Sequence, residues 1–262
     1  PRGRILCTFF DPGAGSRNGG GLLLLPPFAE EMNKSRRMMA RLGYALAERG
    51  FVTVLPDPYG TGDSEGDFAD ADWGVWREDV VTAARALQER GVERLTLGGL
   101  RTGVLLGLDT LDQLPLAPER LLFWHPVTNG RQFLTRFLRL RLAASMRGGD
   151  RESTGDLRAR LEAGESLEIA GYELSPALAA ALDGLDANRM IPPTDIPVHW
   201  LEISSAEPPK ISTGAERVIS EWQSAGCDVV AEAVAGDAFW ATQEIVDVPE
   251  LFERSVERVM GR

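Results

Sequence analysis

Cysteine and histidine are almost missing from this chain, two of each in 262 residues. Cys7 and Cys227 lie far apart, form no metal-ligand or redox spacing, and read as core or half-buried thiols in a reducing compartment. The sequence therefore implies no metal and no cofactor. Long apolar runs are lacking as well: the leucine run Leu22–Leu25 stops at Pro26, far short of the roughly 20 residues that a membrane span requires. The start, Pro1-Arg2-Gly3-Arg4, leads into no apolar segment long enough for a secretory signal, so the expected location is cytoplasmic. Positive charge is in deficit, with 28 Lys and Arg against 39 Asp and Glu and a net charge of −11. That balance argues against nucleic-acid binding by phosphate neutralisation and against general adsorption to anionic membrane.

A 44% hydrophobic chain of this length can bury one large core, and one domain with an inserted subregion is the expectation. Strand and helix signals alternate along it. Strands are predicted at Ile5–Phe10, Gly21–Leu25, Phe51–Leu55, Arg94–Leu97 and Arg120–Trp124, and helices at Met38–Arg49, Trp76–Arg90 and Val104–Leu111. Two of these helices end at glycines, Gly50 and Gly91, which suit a helix C-terminus. The strands are continuous apolar runs, as expected for strands covered on both faces, and the order predicts a doubly wound, mostly parallel sheet. The rhythm breaks after Thr128. An arginine-rich amphipathic helix, Arg131–Arg147, is followed by a polar loop, Gly148–Gly155, a helix Leu157–Ala163 and a strand-like piece, Ser166–Leu174. Ser175-Pro176 then caps a helix over Ala177–Leu182. Alternation resumes with Val198–Ile203, Ala215–Gly226, Asp228–Val234 and Pro249–Met260. The resulting division is a core of residues 1–127 and 191–262 and an insertion, residues 128–190, expected to cap the carboxyl ends of the strands, where ligands bind in such sheets.

Three local patterns fall at those strand ends. Gly99-Leu100-Arg101-Thr102-Gly103 lies between a strand and a helix, the setting of the G-x-S-x-G nucleophile elbow of the α/β-hydrolase fold, with arginine at the middle position. Its alternative is a packing turn with a surface arginine. The second, Asp57–Gly66, follows the D-x-x-G-x-G-x-S pattern, in which Ser64 reads as a turn residue. The third, Pro27-Phe28-Ala29-Glu30-Glu31-Met32-Asn33-Lys34-Ser35-Arg36-Arg37, occupies the place of the loop that donates an oxyanion-hole amide; it equally suits a solvated helix start, acids leading bases along the dipole.

PFAEEMNKSRR, with Gly62-Asp63-Ser64-Glu65-Gly66-Asp67-Phe68, Trp124-His125-Pro126-Val127, Gly130-Arg131-Gln132-Phe133 and Phe239-Trp240, resembles the exosortase A system-associated hydrolase 2 family of the α/β-hydrolase superfamily. The resemblance spans most of the chain and implies an α/β-hydrolase fold in a bacterial exosortase and exopolysaccharide context. Its name implies hydrolysis.

The residues do not supply the usual triad, which needs a nucleophile, a base in reach and an orienting acid. The nucleophile position is Arg101, the base loop offers Phe239, and the acid position holds Glu207 with no histidine to orient. Arginine stays protonated and replaces neither nucleophile nor base. At a helix N-terminus its guanidinium suits a carboxylate, phosphate or sulfate; Glu30 or Glu31 could instead pair with it. The expected ligand-binding set is Arg101, Glu30, Glu31, Phe28, Asn33 and Trp240, with Arg101 in the largest pocket. The arginines of Arg131–Arg147 fit an anion-attracting lid, a peripheral membrane contact or a solvated face. Two functional readings remain open: a pseudoenzyme with a pocket for a small anionic ligand, or an ester- or thioester-class hydrolase or acyl-transfer enzyme using a non-standard site.

Overall fold

The computed structural model describes residues 2–145 and 152–261. Its main sheet has seven strands: β1 (Cys7–Phe10), β2 (Gly20–Leu25), β3 (Val52–Pro56), β4 (Arg94–Leu100), β5 (Pro118–Trp124), β8 (Val198–Ser204) and β9 (Val229–Ala235), in the order β1-β3-β2-β4-β5-β8-β9. Only β1 runs antiparallel, pairing with β3 at one edge. Every residue of β2 is buried, which accounts for a strand made of glycine and leucine alone. Among the described residues no helix is long and apolar enough to cross a membrane.

Helices α1 (Glu30–Ala47) and α8 (Pro249–Val259) pack together on one face of the sheet; α2 (Trp73–Gln88), α3 (Thr102–Leu108) and α7 (Thr213–Ser224) pack on the other. Each face buries its own apolar cluster. The helix after β2 and the helix after β4 therefore lie on opposite faces although the two strands are neighbours. That places a topological switch point at their carboxyl ends, where ligand crevices form in open α/β sheets.

Helix α1 starts at Glu30, earlier than the apolar periodicity from Met38 predicts. The cause is compositional. Glu31 and Ser35 occupy the buried stripe with Met32, Met38, Met39 and Leu42, so the charged segment is the first turns of the helix, with two of its polar residues facing inward and Asn33, Lys34 and Arg37 exposed.

Between β5 and β8 the chain leaves the main sheet. It forms α4 (Gly130–Ser145), α5 (Thr154–Glu162), the antiparallel pair β6 (Leu167–Ile169) and β7 (Tyr172–Leu174), and α6 (Pro176–Gly184). The single strand-like piece read from Ser166–Leu174 is thus a hairpin, turned at Ala170 and Gly171, both at positive φ. Arg147 and the loop residues Gly148–Arg151 of the sequence reading lie outside the described residues. Phe133 and Phe137 of α4 pack edge-on against Phe28, with ring centroids at 5.7 and 5.1 Å. Tyr172 meets Phe68 at 5.1 Å, and the Ser175 hydroxyl, which also caps α6, donates to the Ala71 carbonyl at 3.2 Å. The inserted segment is thereby pinned over the loops that follow β2 and β3.

Candidate functional site

Register alone aligns three side chains. Leu100 pairs with Trp124 and Trp124 with Leu201 across β4, β5 and β8. The next residues along those strands, Arg101, His125 and Glu202, therefore stand side by side at the carboxyl edge. The Arg101 amide donates to the Trp124 carbonyl at 3.0 Å and the His125 amide to that of Leu201 at 2.8 Å.

The turn at Arg101 is sharp and needs its glycines. A Cβ on Gly99 would sit 2.7 Å from the Val104 nitrogen, and one on Gly103 would sit 2.5 Å from the Leu25 carbonyl oxygen. Arg101 itself adopts φ 56°, ψ −117°, a conformation costly for any residue with a Cβ. Ala29 (φ 51°) and His125 (φ 42°) share this sign. Among the described residues, three of the four non-glycine positive-φ positions thus lie at the ends of β2, β4 and β5. Strain of this kind, about 1–3 kcal/mol per residue, clusters at functional sites.

The Arg101 guanidinium is turned inward. Nε and Nη2 donate to the Glu31 carboxylate at 3.3 and 3.2 Å, and the Trp240 ring centroid lies 5.1 Å from Cζ, within cation–π range. Both charged side chains are nearly buried, 11% and 12% exposed. The two contacts are longer than the 2.7–2.9 Å usual for charge-assisted bonds, so the pair is loosely made. Burial pushes the Glu31 carboxyl above its ordinary pKa, and the charge and hydrogen bonds of Arg101 pull it back. Glu30 does not share this contact. One of its oxygens is buried without a hydrogen-bond partner, and burial, with the neighbouring Glu31, raises its pKa.

His125 lies beneath Trp240, ring centroids 4.7 Å apart. The Ile203 amide donates to its Nδ1 at 3.2 Å, which assigns the proton of the neutral ring to Nε2, and that atom faces Glu202 Oε1 at 3.9 Å. Glu202 is 2% exposed and its Oε2 accepts from the Trp200 indole at 2.8 Å. Burial holds the His125 pKa down at about 4, with Arg101 and Arg136 lowering it further and Glu202 opposing. The imidazole is thus neutral at pH 7, with its one lone pair already occupied. It has no free basic nitrogen to offer a substrate.

A cavity of about 280 Å³ opens beside these groups, lined by Arg101, His125, Asn129, Arg136, Glu202 and Ser212 among others. It is not the largest. A cavity of about 360 Å³ lies within the inserted segment, between Leu134, Leu161 and Ala179, so Arg101 does not occupy the main void, contrary to the sequence expectation. The reason is that its side chain folds back onto Glu31, filling space above the elbow.

Of the residues singled out from sequence, Arg101, Glu31 and Trp240 come together. Phe28 is buried in an aromatic cluster with Phe68, Trp76, Phe133 and Phe137. Asn33 is exposed and donates to the Tyr172 hydroxyl at 3.3 Å, tying α1 to the hairpin. Phe239 packs on Trp124 and Trp240, so the base position holds an apolar anchor. Glu207 is exposed beyond β8 and does not line the Arg101 cavity; the carboxylate that faces it is Glu202, inside the strand. Ser64 is a turn residue, its hydroxyl donating to the Asp57 carbonyl at 2.5 Å and accepting from the Leu6 amide at 2.8 Å. On α4, Arg131 meets Asp183 at 4.0 Å and Arg141 meets Glu152 at 3.3 Å, so the basic helix is partly neutralised by acids of its own segment. Among the described residues no group of three or more His, Cys, Asp or Glu could hold a metal ion.

The sheet order, the strand–turn–helix elbow and the inserted segment define an α/β-hydrolase fold, and comparison with solved structures agrees. Est1E from Butyrivibrio proteoclasticus with ferulic acid bound superposes with a TM-score of 0.69 at 13% identity, covering 98% of this chain and 96% of that one. A highly thermostable carboxyl esterase from Bacillus coagulans in complex with glycerol gives 0.67 at 14% identity, covering 99% and 94%. Alpha/beta hydrolase domain-containing protein 10 from mouse gives 0.60 at 15%, covering 98% and 94%. Identities this low establish the fold alone. Neither a protein-family model nor a curated protein sequence matches the chain.

Proposed function

We propose that this protein is a non-catalytic member of the α/β-hydrolase fold that binds a small anionic ligand in the cavity beside Arg101. The observation that carries the reading is the elbow itself. The strained geometry is kept, yet the residue displayed there is a guanidinium held by Glu31 and Trp240. A permanently protonated side chain cannot attack a carbonyl, His125 has no free basic nitrogen, and the base loop contributes Phe239 to packing. The loose Arg101–Glu31 pair leaves room for an incoming anion to compete for the guanidinium. In this reading residues 128–190 cap a core of residues 1–127 and 191–262. The protein works in the cytoplasm, in the exosortase and exopolysaccharide setting that the PFAEEMNKSRR resemblance implies.

Hexanoate is a suitable anion for the test. Titration followed by calorimetry should give saturable binding that weakens with added salt. The double variant Arg101→Met/Glu31→Leu, which removes both charges together, should abolish it. Binding unchanged in the double variant, or no binding of any small carboxylate by the wild type, would overturn the proposal. A second reading, an ester- or thioester-class hydrolase with a non-standard site, draws support from the strained carboxyl-edge residues. It requires turnover of p-nitrophenyl hexanoate that is lost in the same variant.

A further inference from the structure

The cavity beside Arg101 is not simply cationic. Glu31 already meets Arg101. Glu202, almost wholly buried, presents Oε1 toward the cavity with no hydrogen bond to it, the His125 Nε2–H standing off at 3.9 Å. The other cation on the lining, Arg136, is exposed on α4, makes no ion pair among the described residues, and lies close enough to act on the charge of His125. A bare inorganic anion entering here meets one free guanidinium and one carboxylate oxygen lacking a donor. The attraction of the first is offset by the second. A ligand satisfies both only if it brings a hydrogen-bond donor alongside its charge, because a ligand that displaces water from Oε1 without supplying a donor leaves that acceptor to carry its desolvation cost. Asn129, Gln132 and Ser212, also on the lining, extend the same preference for polar, uncharged substituents.

Resting on the anion-binding reading above, we infer that the ligand is a hydroxylated carboxylate of about monosaccharide size. Its carboxylate pairs with Arg136 at the mouth and reaches toward Arg101, while a hydroxyl donates to Glu202 Oε1. The volume of about 280 Å³ lies at the lower end of small-molecule sites, roughly 300–1,000 Å³, and limits the ligand to this size. A site built to receive a hydroxyl rejects an analogue lacking it far more strongly than an apolar pocket rejects an added one.

Three six-carbon probes separate the contributions: D-gluconate carries both charge and hydroxyls, hexanoate only the charge, and D-glucitol only the hydroxyls. Calorimetric titration of the intact protein should show gluconate binding about tenfold or more tightly than either, the factor expected for one hydrogen bond to a charged group. Glu202→Gln should narrow the preference for gluconate over hexanoate. Arg136→Gln, an exposed change that spares the fold, should narrow the preference for gluconate over glucitol. Equal affinity for gluconate and hexanoate overturns this inference and leaves the anion reading standing. Equal affinity for gluconate and glucitol, or no binding of either acid, overturns both.

Discussion

Arg101 and Glu31 depend on each other. Each is nearly buried, and removing one partner leaves the other as an uncompensated interior charge, at a cost of about 3–5 kcal/mol. Arg101→Ala should therefore lose stability on that scale in urea denaturation. The double variant Arg101→Met/Glu31→Leu, which places apolar side chains on both sides, should recover most of it. Failure to recover would show that the arginine stabilises the elbow by something other than the pair. His125 gives a second prediction, in pH. Its folded pKa of about 4 lies below the ordinary 6.5, so between those values the unfolded chain binds the proton and the folded one does not. Stability is lost as pH falls through that window, by up to about 3 kcal/mol. Buried Asp79 works in the opposite sense. Its pKa is raised by burial from 3.8 to about 6, so acidification relieves a buried charge over much of the same range. The two nearly cancel in the wild type. His125→Gln removes one of them, and its stability relative to wild type should be higher at pH 5 than at pH 7.5. A pH-independent difference would contradict the assignment of His125.

At the scale of elements, the sequence told most where backbone sterics dictate residue type. Gly99 and Gly103 are readable as an elbow because no Cβ fits at either position. The apolar strands are readable because both their faces are covered. Side-chain partnerships across elements were harder to foresee. Glu202 is one polar residue inside a buried strand, and nothing in its neighbourhood in sequence says that β5 will bring His125 beside it; the acid was instead expected at Glu207, after the strand, where a loop residue is exposed. The first turns of α1 were legible only as one of two readings, a helix start or an oxyanion-hole loop, because their buried face is partly polar. A close pairing of the inserted segment with the core is carried by aromatic contacts, chiefly Phe137 against Phe28. Phe137 is 3% exposed, so Phe137→Ala should cost about 3–5 kcal/mol. The loss should appear as a shift of a single unfolding transition. A new early transition would mean that the segment and the core unfold separately.

For the molecule as a whole, the fold is one that solved esterases also adopt, and the residue displayed at the elbow is a fixed cation. The surroundings accommodate that cation. Glu31 neutralises the cation, Trp240 covers it, and the imidazole of His125 is spent on a backbone amide. Two hydroxyls on the loops around the sheet are engaged structurally: Ser64 closes a turn and Ser212 caps α7, accepting from the Ala215 amide. Serine-type acyl transfer without its nucleophile and base retains only the modest residual effects of binding and oxyanion contacts. The proposed function requires that no serine hydroxyl be activated for acyl transfer. It is tested most directly by exposing the folded protein to a fluorophosphonate probe and weighing the intact chain. The account predicts no added mass. A stoichiometric adduct, mapped by peptide sequencing to Ser64, Ser212 or any other serine and abolished by its change to alanine, would contradict it.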